Sequence, residues 1–124
     1  MQFVPMALTP DETNALRHAV GADEWIPGTR SHFAADAYLL PIAEALESAG
    51  MFTRHGAANG CTMFHATELG CVTAGLSEGE TLRALRTRPD QKAADALARR
   101  ICWREDDFAT RSVRPMGCAE GVQP

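Results

Sequence analysis

His55, Cys61, His65 and Cys71 fall within a stretch of seventeen residues, and sulfur with imidazole is a donor set that zinc accepts. Structural zinc sites usually present one close cysteine pair on a turn. Here the spacing puts the two histidines on separate extended runs and Cys71 on a following helix. The expected state of the four side chains is therefore buried thiols and surface imidazoles, with no metal ligand set. Nucleophilic catalysis at Cys61 or His65 would need a neighbouring base and an orienting acid, and Gly60-Cys61-Thr62-Met63-Phe64-His65 is no recognised nucleophile setting. Gly56 to Gly60 lacks the Lys-Ser/Thr that follows a phosphate-binding turn. Asp11-Glu12 suits a helix N-terminus, while Asp23-Glu24 and Asp106-Asp107 read as solvated loop charge. No catalytic residue and no cofactor are expected.

Charge placement is more informative. The formal net charge is -4, yet residues 1–80 hold three arginines (Arg17, Arg30, Arg54) against ten carboxylates, and residues 81–124 hold nine basic residues against six acidic ones. An acidic half followed by a basic one can meet a basic protein groove and a phosphate backbone with different faces. The residues expected to touch a partner are Glu44 and Glu47, Arg54 and His55, and the arginine pairs Arg83 with Arg86 and Arg99 with Arg100. Arg83 and Arg86 are three apart and share a helical face. Trp25 and Trp103 read first as core or clip residues, and would be interface anchors if exposed.

These side chains need elements to hold them. Thr9-Pro10-Asp11-Glu12 combines a cap, a proline at the first helical position and a capping-box glutamate, and predicts a helix from Pro10 to Val20 ending at Gly21. Its inward stripe is Ala15, Leu16 and Ala19. From Ala22 to Phe33 no period holds, and a long loop anchored by Trp25, Ile26 and Phe33 is expected. Ile42, Ala45, Leu46 and Ala49 predict a helix over Pro41 to Ala49, with either a kink at Pro41 or a fresh start there. Met51 to His55 and Cys61 to His65 read as two strands around an Asn59-Gly60 turn. Thr67 then caps a helix with Leu69, Val72 and Leu76 inward. Ser77-Glu78-Gly79-Glu80 opens another with Leu82 and Leu85 inside and Arg83, Arg86 and Arg88 outside. After Pro89 a last helix, Asp90 to Arg104, carries Ala93, Ala96, Leu97 and Ile101 as its core face, with Trp103 a further candidate.

The expected fold class is mainly α with one β-hairpin (α+β): a winged-helix-like unit, Leu39 to Leu76, plus C-terminal helices. At 124 residues the chain suits a single domain over 1–104, with a core at 8–76, added helices at 77–104 and an irregular tail at 105–124. No apolar run is long enough to span a bilayer, and the N-terminus lacks the pattern of a signal peptide. None of the four cysteines forms a Cys-x-x-Cys pair. A cytoplasmic protein is expected.

Leu8-Thr9-Pro10, Leu16-Arg17-His18-Ala19-Val20-Gly21, Ala45-Leu46-Glu47-Ser48-Ala49-Gly50-Met51 and Phe64-His65-Ala66-Thr67-Glu68-Leu69-Gly70 together resemble a group of short orphan proteins encoded by phages and prophages, over roughly residues 8–76. The resemblance implies descent and brings no shared activity or binding residues. The later segments also resemble the C-terminal half of winged-helix domains. DNA-reading winged helices carry Lys or Arg on the recognition helix, whereas Pro41 to Gly50 carries Glu44 and Glu47 and no cation. The expectation is a non-enzymatic phage or prophage accessory protein that binds a host protein complex, for example as an inhibitor of a bacterial defence system such as CRISPR interference. The alternative is a DNA-binding regulator that uses its arginine-rich C-terminal helices.

Overall fold

The structure, a computed structural model, describes residues 8–109, with side-chain surroundings through residue 104. The elements run α1 (Pro10–Val20), β1 (His32–Ala35), α2 (Leu40–Ser48), β2 (Phe52–Ala58), β3 (Cys61–Ala66), α3 (Glu68–Thr73), α4 (Glu78–Leu85) and α5 (Lys92–Ala109). The fold is mixed α+β, with an antiparallel sheet in the order β1-β3-β2. The chain divides into two compact units, Met1–Pro89 and Asp90–Pro124.

α1 forms as its capping box requires. Thr9 Oγ1 accepts the Glu12 N–H at 3.1 Å, and the Glu12 carboxylate accepts the Thr9 N–H at 3.0 Å, so two orphan donors are satisfied at once. Leu16, Ala19 and Val20 are buried, and α1 packs against α2, β1, β3 and α3.

The stretch after Gly21 corrects the expected long loop. Its end is a strand, because Phe33 and Ala35 alternate inward against β3 while His32 and Ala34 stay exposed. A four-residue strand has too little length to show a period; its pairing with β3, thirty residues on, creates it. One hairpin thus becomes a three-stranded sheet. The Asp36 carboxylate then accepts from Tyr38 N at 3.0 Å and Leu39 N at 2.9 Å, turning the chain into α2. Pro41 sits in the first turn of α2, so the helix starts afresh there. Its buried positions are Ala43 and Leu46, while Ala45 lies exposed.

The hairpin turn is Asn59-Gly60 itself, with φ of 52° and 78°, the left-handed pair that a two-residue turn between twisted strands needs. β2 therefore runs on to Ala58, past the end expected at His55. The register shifts between Arg54, paired with Phe64, and Gly56, paired with Met63, leaving His55 as the extra residue of a bulge.

α3 corrects a second expectation. Leu69 is 51% and Val72 55% exposed, and the inward positions are Gly70, Cys71 and Ala74. The cause is a close approach: a Cβ on Gly70 would lie 2.3 Å from the Met51 carbonyl oxygen, so the helix docks on its small-residue side. Thr67 fixes the approach by capping Gly70 N and donating to Gly50 O at 2.6 Å.

α4 opens with the Ser77–Glu80 capping box and buries Thr81, Ala84 and Leu85, with Leu82 half-buried. Arg88, expected outward, is instead half-buried. It donates to Ala66 O at 3.3 Å and Thr53 Oγ1 at 3.2 Å, and these two acceptors on β3 and β2 draw it inward. α5 extends beyond Arg104 to Ala109; its buried positions are Ala94 and Leu97, with Ala93, Ala96 and Ile101 half-buried, and Trp103, expected in the core, is exposed instead. The rest of the expected tail, residues 110–124 with Cys118, lies outside the described residues.

Candidate functional site

The sheet has two unlike faces. Phe33 and Phe64 are register partners, and Phe52 stacks between their rings at 5.6 and 5.7 Å from the respective centroids. That aromatic layer is buried beneath α1 and α2. The alternate residues, His32, His65 and Thr53, form a row across all three strands on the other face.

Above the aromatic layer lies an open groove of about 500 Å³ between α1, the turn at residues 21–24 and the start of α2. Buried Ala15 and Phe33 and half-buried Ile42 supply its apolar lining, while Asp11, Asp23, Glu24 and Tyr38 stand exposed around it. Arg17 fixes one wall. It donates to Asp23 at 2.5 and 3.4 Å and to Ala74 O at 2.6 Å, tying α1 to the loop and to the end of α3. The hydrogen bonds from Arg17 hold the Asp23 carboxyl below the ordinary carboxylate range. Beside this wall, Trp25 is 96% and Tyr38 84% exposed, and Ile26 is exposed as well. Trp25 is thus outside the core. Of these three, Tyr38 lines the groove itself, and Trp25 and Ile26 follow its lining residue Glu24 in sequence; Arg17 and His18 stand among its acids.

The expected partner-binding residues separate into three groups. Glu44, Glu47 and Arg54 come together, with the guanidinium at 3.2 and 3.0 Å from the two carboxylates and 5.2 Å from the Phe64 ring centroid. The acids of α2 are thereby neutralised in part by Arg54, whose own protonated form is favoured by both hydrogen bonds. Arg83 is exposed and donates to Pro27 O at 2.5 Å, clasping the aromatic loop to α4, and Arg86 is exposed on the same helix. Arg99 and Arg100 are exposed on α5. His55, at the bulge, lies 4.7 Å from His65, ring centroid to centroid.

The zinc quartet does not converge. Cys61 and His65 are four residues apart on one strand, about 13 Å along it. Cys71 is buried in α3, and burial pushes its thiol up to about 12, which opposes the thiolate a metal needs. Among the described residues no group of three or more His, Cys, Asp or Glu side chains is placed to hold a metal ion. Cys61 and Cys71 are free thiols. No helix among the described residues is long and apolar enough to cross a membrane.

Sequence reasoning missed Tyr38, His32 and the inward course of Arg88. No local signal placed His32 beside His65, because the strand at His32–Ala35 is too short to show a period and is defined by its pairing with β3. No family model matches the chain, and no curated protein and no solved structure matches it either.

Proposed function

We propose that the chain is a non-enzymatic binding protein that works by stoichiometric association with a protein partner through the groove between α1 and α2. The observation that carries this reading is the exposure of Tyr38 in the lining of a partly apolar groove, with Trp25 and Ile26 exposed just after its lining residue Glu24. Aromatic side chains cost solubility when left in water and are the residues most enriched at the energetic centres of interfaces. With Asp23 engaged by Arg17, Asp11 and Glu24 are the exposed acids of the groove that would favour a partner with basic side chains, and a nucleic-acid-binding host complex presents such a surface. In this reading the protein is a phage or prophage accessory factor in the bacterial cytosol, an inhibitor of a defence system such as CRISPR interference. Its support is the sequence resemblance over residues 8–76 together with this surface.

The succession of α2, the β2–β3 hairpin and β1 at the sheet edge supports a winged-helix-like description. The α2 helix carries Glu44 and Glu47 and no cation, which favours a protein over a duplex as its ligand. The DNA-binding alternative draws on exposed Arg83 and Arg86 on α4 and Arg99 and Arg100 on α5. It requires that changing these four to Ala flatten the salt dependence of duplex affinity.

The test is affinity capture from nuclease-treated host lysate with the wild type and with Trp25→Ala/Tyr38→Ala. One protein complex retained at a fixed stoichiometry by the wild type and lost by the variant is expected. Equal retention by both would remove the groove from the account.

A further inference from the structure

We infer that the groove between α1 and α2 seats an arginine side chain of the protein partner, its guanidinium held by Asp11 and Glu24 against the Tyr38 ring. The inference rests on the groove being the contact surface, and names what enters it.

The lining is divided by chemistry. Buried Phe33 and half-buried Ile42 give it an apolar part, while Asp11, Glu24 and Tyr38 stand exposed at its edge. Glu24 is set there by Gly21, where a Cβ would lie 3.1 Å from Glu24 Cγ, so only a glycine lets this side chain pack across the end of α1. An arginine side chain has the matching division, with an apolar stem below a charged planar head.

The cations already in the lining are committed elsewhere. All three guanidinium nitrogens of Arg17 are engaged, Nε and Nη2 by the Asp23 carboxylate and Nη1 by Ala74 O. His18 Nε2 accepts from Arg30 Nη2 at 2.8 Å, and Arg30 is not part of the lining. The carboxylates of Asp11 and Glu24 have neither a hydrogen bond nor an ion pair among the described residues. The Tyr38 ring is 84% exposed, with no aromatic or cationic side chain among the described residues on its face. Two unpaired carboxylates and an open aromatic face in one groove are complementary to a guanidinium, whose N–H fork donates to a carboxylate while its plane lies on the ring. A lysine ammonium supplies the charge without the planar fork.

The test follows backbone ¹H–¹⁵N resonances of the full chain while Nα-benzoyl-arginine amide, its lysine analogue or its neutral isostere, the citrulline amide, is added. The arginine probe is expected to move the signals of Asp11, Glu24 and Tyr38. It should bind about fivefold more tightly than the citrulline probe, with the lysine probe between them. Asp11→Asn/Glu24→Gln, at two exposed positions, is expected to bring the arginine probe down to the citrulline level. If the double change alters the circular dichroism, Glu24→Gln alone, outside the helix, replaces it with about a twofold loss expected. Equal affinity for the arginine and citrulline probes, a lysine probe as tight as the arginine one, signals unmoved at the groove, or unchanged binding in the folded variant would overturn the inference. The groove reading is judged apart from these outcomes: loss of the captured complex by Trp25→Ala/Tyr38→Ala sustains it even where the arginine probe shows no preference.

Discussion

The two faces of the three-stranded sheet are built from alternate residues of the same strands and have opposite character. On one side the layer of Phe33, Phe52 and Phe64 supports an acidic groove beside exposed Trp25 and Tyr38; on the other, His32 and His65 stand in a row with Thr53 and Arg88. A one-residue shift in strand register would exchange them. The comparison teaches that charge counted along the chain is a poor guide to where charge gathers. The acidic first eighty residues contain the densest histidine cluster, and the acids of α2 are partly spent on Arg54.

Several changes would break or sharpen this contrast. The largest effect belongs to the layer both faces share. Phe64→Ala leaves a cavity beneath α1 and α2 and is expected to cost about 4 kcal/mol, seen as a lower urea midpoint with both faces lost together. Gly70→Val should cost about 3 kcal/mol by forcing α3 away from Met51 O, and the near-ultraviolet circular dichroism should weaken with it.

Smaller and confined to the groove is the Trp25→Ala/Tyr38→Ala pair. It is expected to reduce partner affinity by about 2 kcal/mol or more while leaving the melting temperature within a few degrees, since both side chains are exposed.

On the histidine face the expected effect is a pH dependence. His65 is held below its ordinary value in the folded chain, so below pH 6.5 the unfolded chain binds a proton that the folded chain resists. Stability is thus fully present above pH 6.5, falls as the pH drops below it, and levels off once folded His65 protonates. Denaturant titrations from pH 7.5 to 5 should show this slope, and His65→Gln should flatten it. The smallest effect is that of Arg54→Gln, a urea midpoint only slightly below that of the wild type, because its ion pairs are exposed.

Much of the scaffold was legible in the sequence because local chemistry dictated it. Thr9 with Glu12 and Ser77 with Glu80 make the capping boxes their residue types announce, and Asn59-Gly60 makes its turn. What escaped was decided by distant partners. β1 exists through its pairing with β3, α3 turns on its axis because Gly70 meets Met51, and Arg88 points inward to Ala66 and Thr53. Of the expected partner-binding residues, Glu44, Glu47 and Arg54 pair with one another, a link across α2 and β2 that their spacing along the chain did not announce. The groove was hidden in a stretch with no period, where Trp25 and Tyr38 gave no sign of their exposure.

The most direct test of a protein-binding groove is photo-crosslinking from two positions, one on each face. With a photoreactive residue at Tyr38, irradiation in host lysate treated with nuclease should yield a single protein adduct. The same residue at exposed Ala34, between His32 and Ala35 on the histidine face, should yield none. A protein adduct from Ala34 and none from Tyr38 would contradict the account.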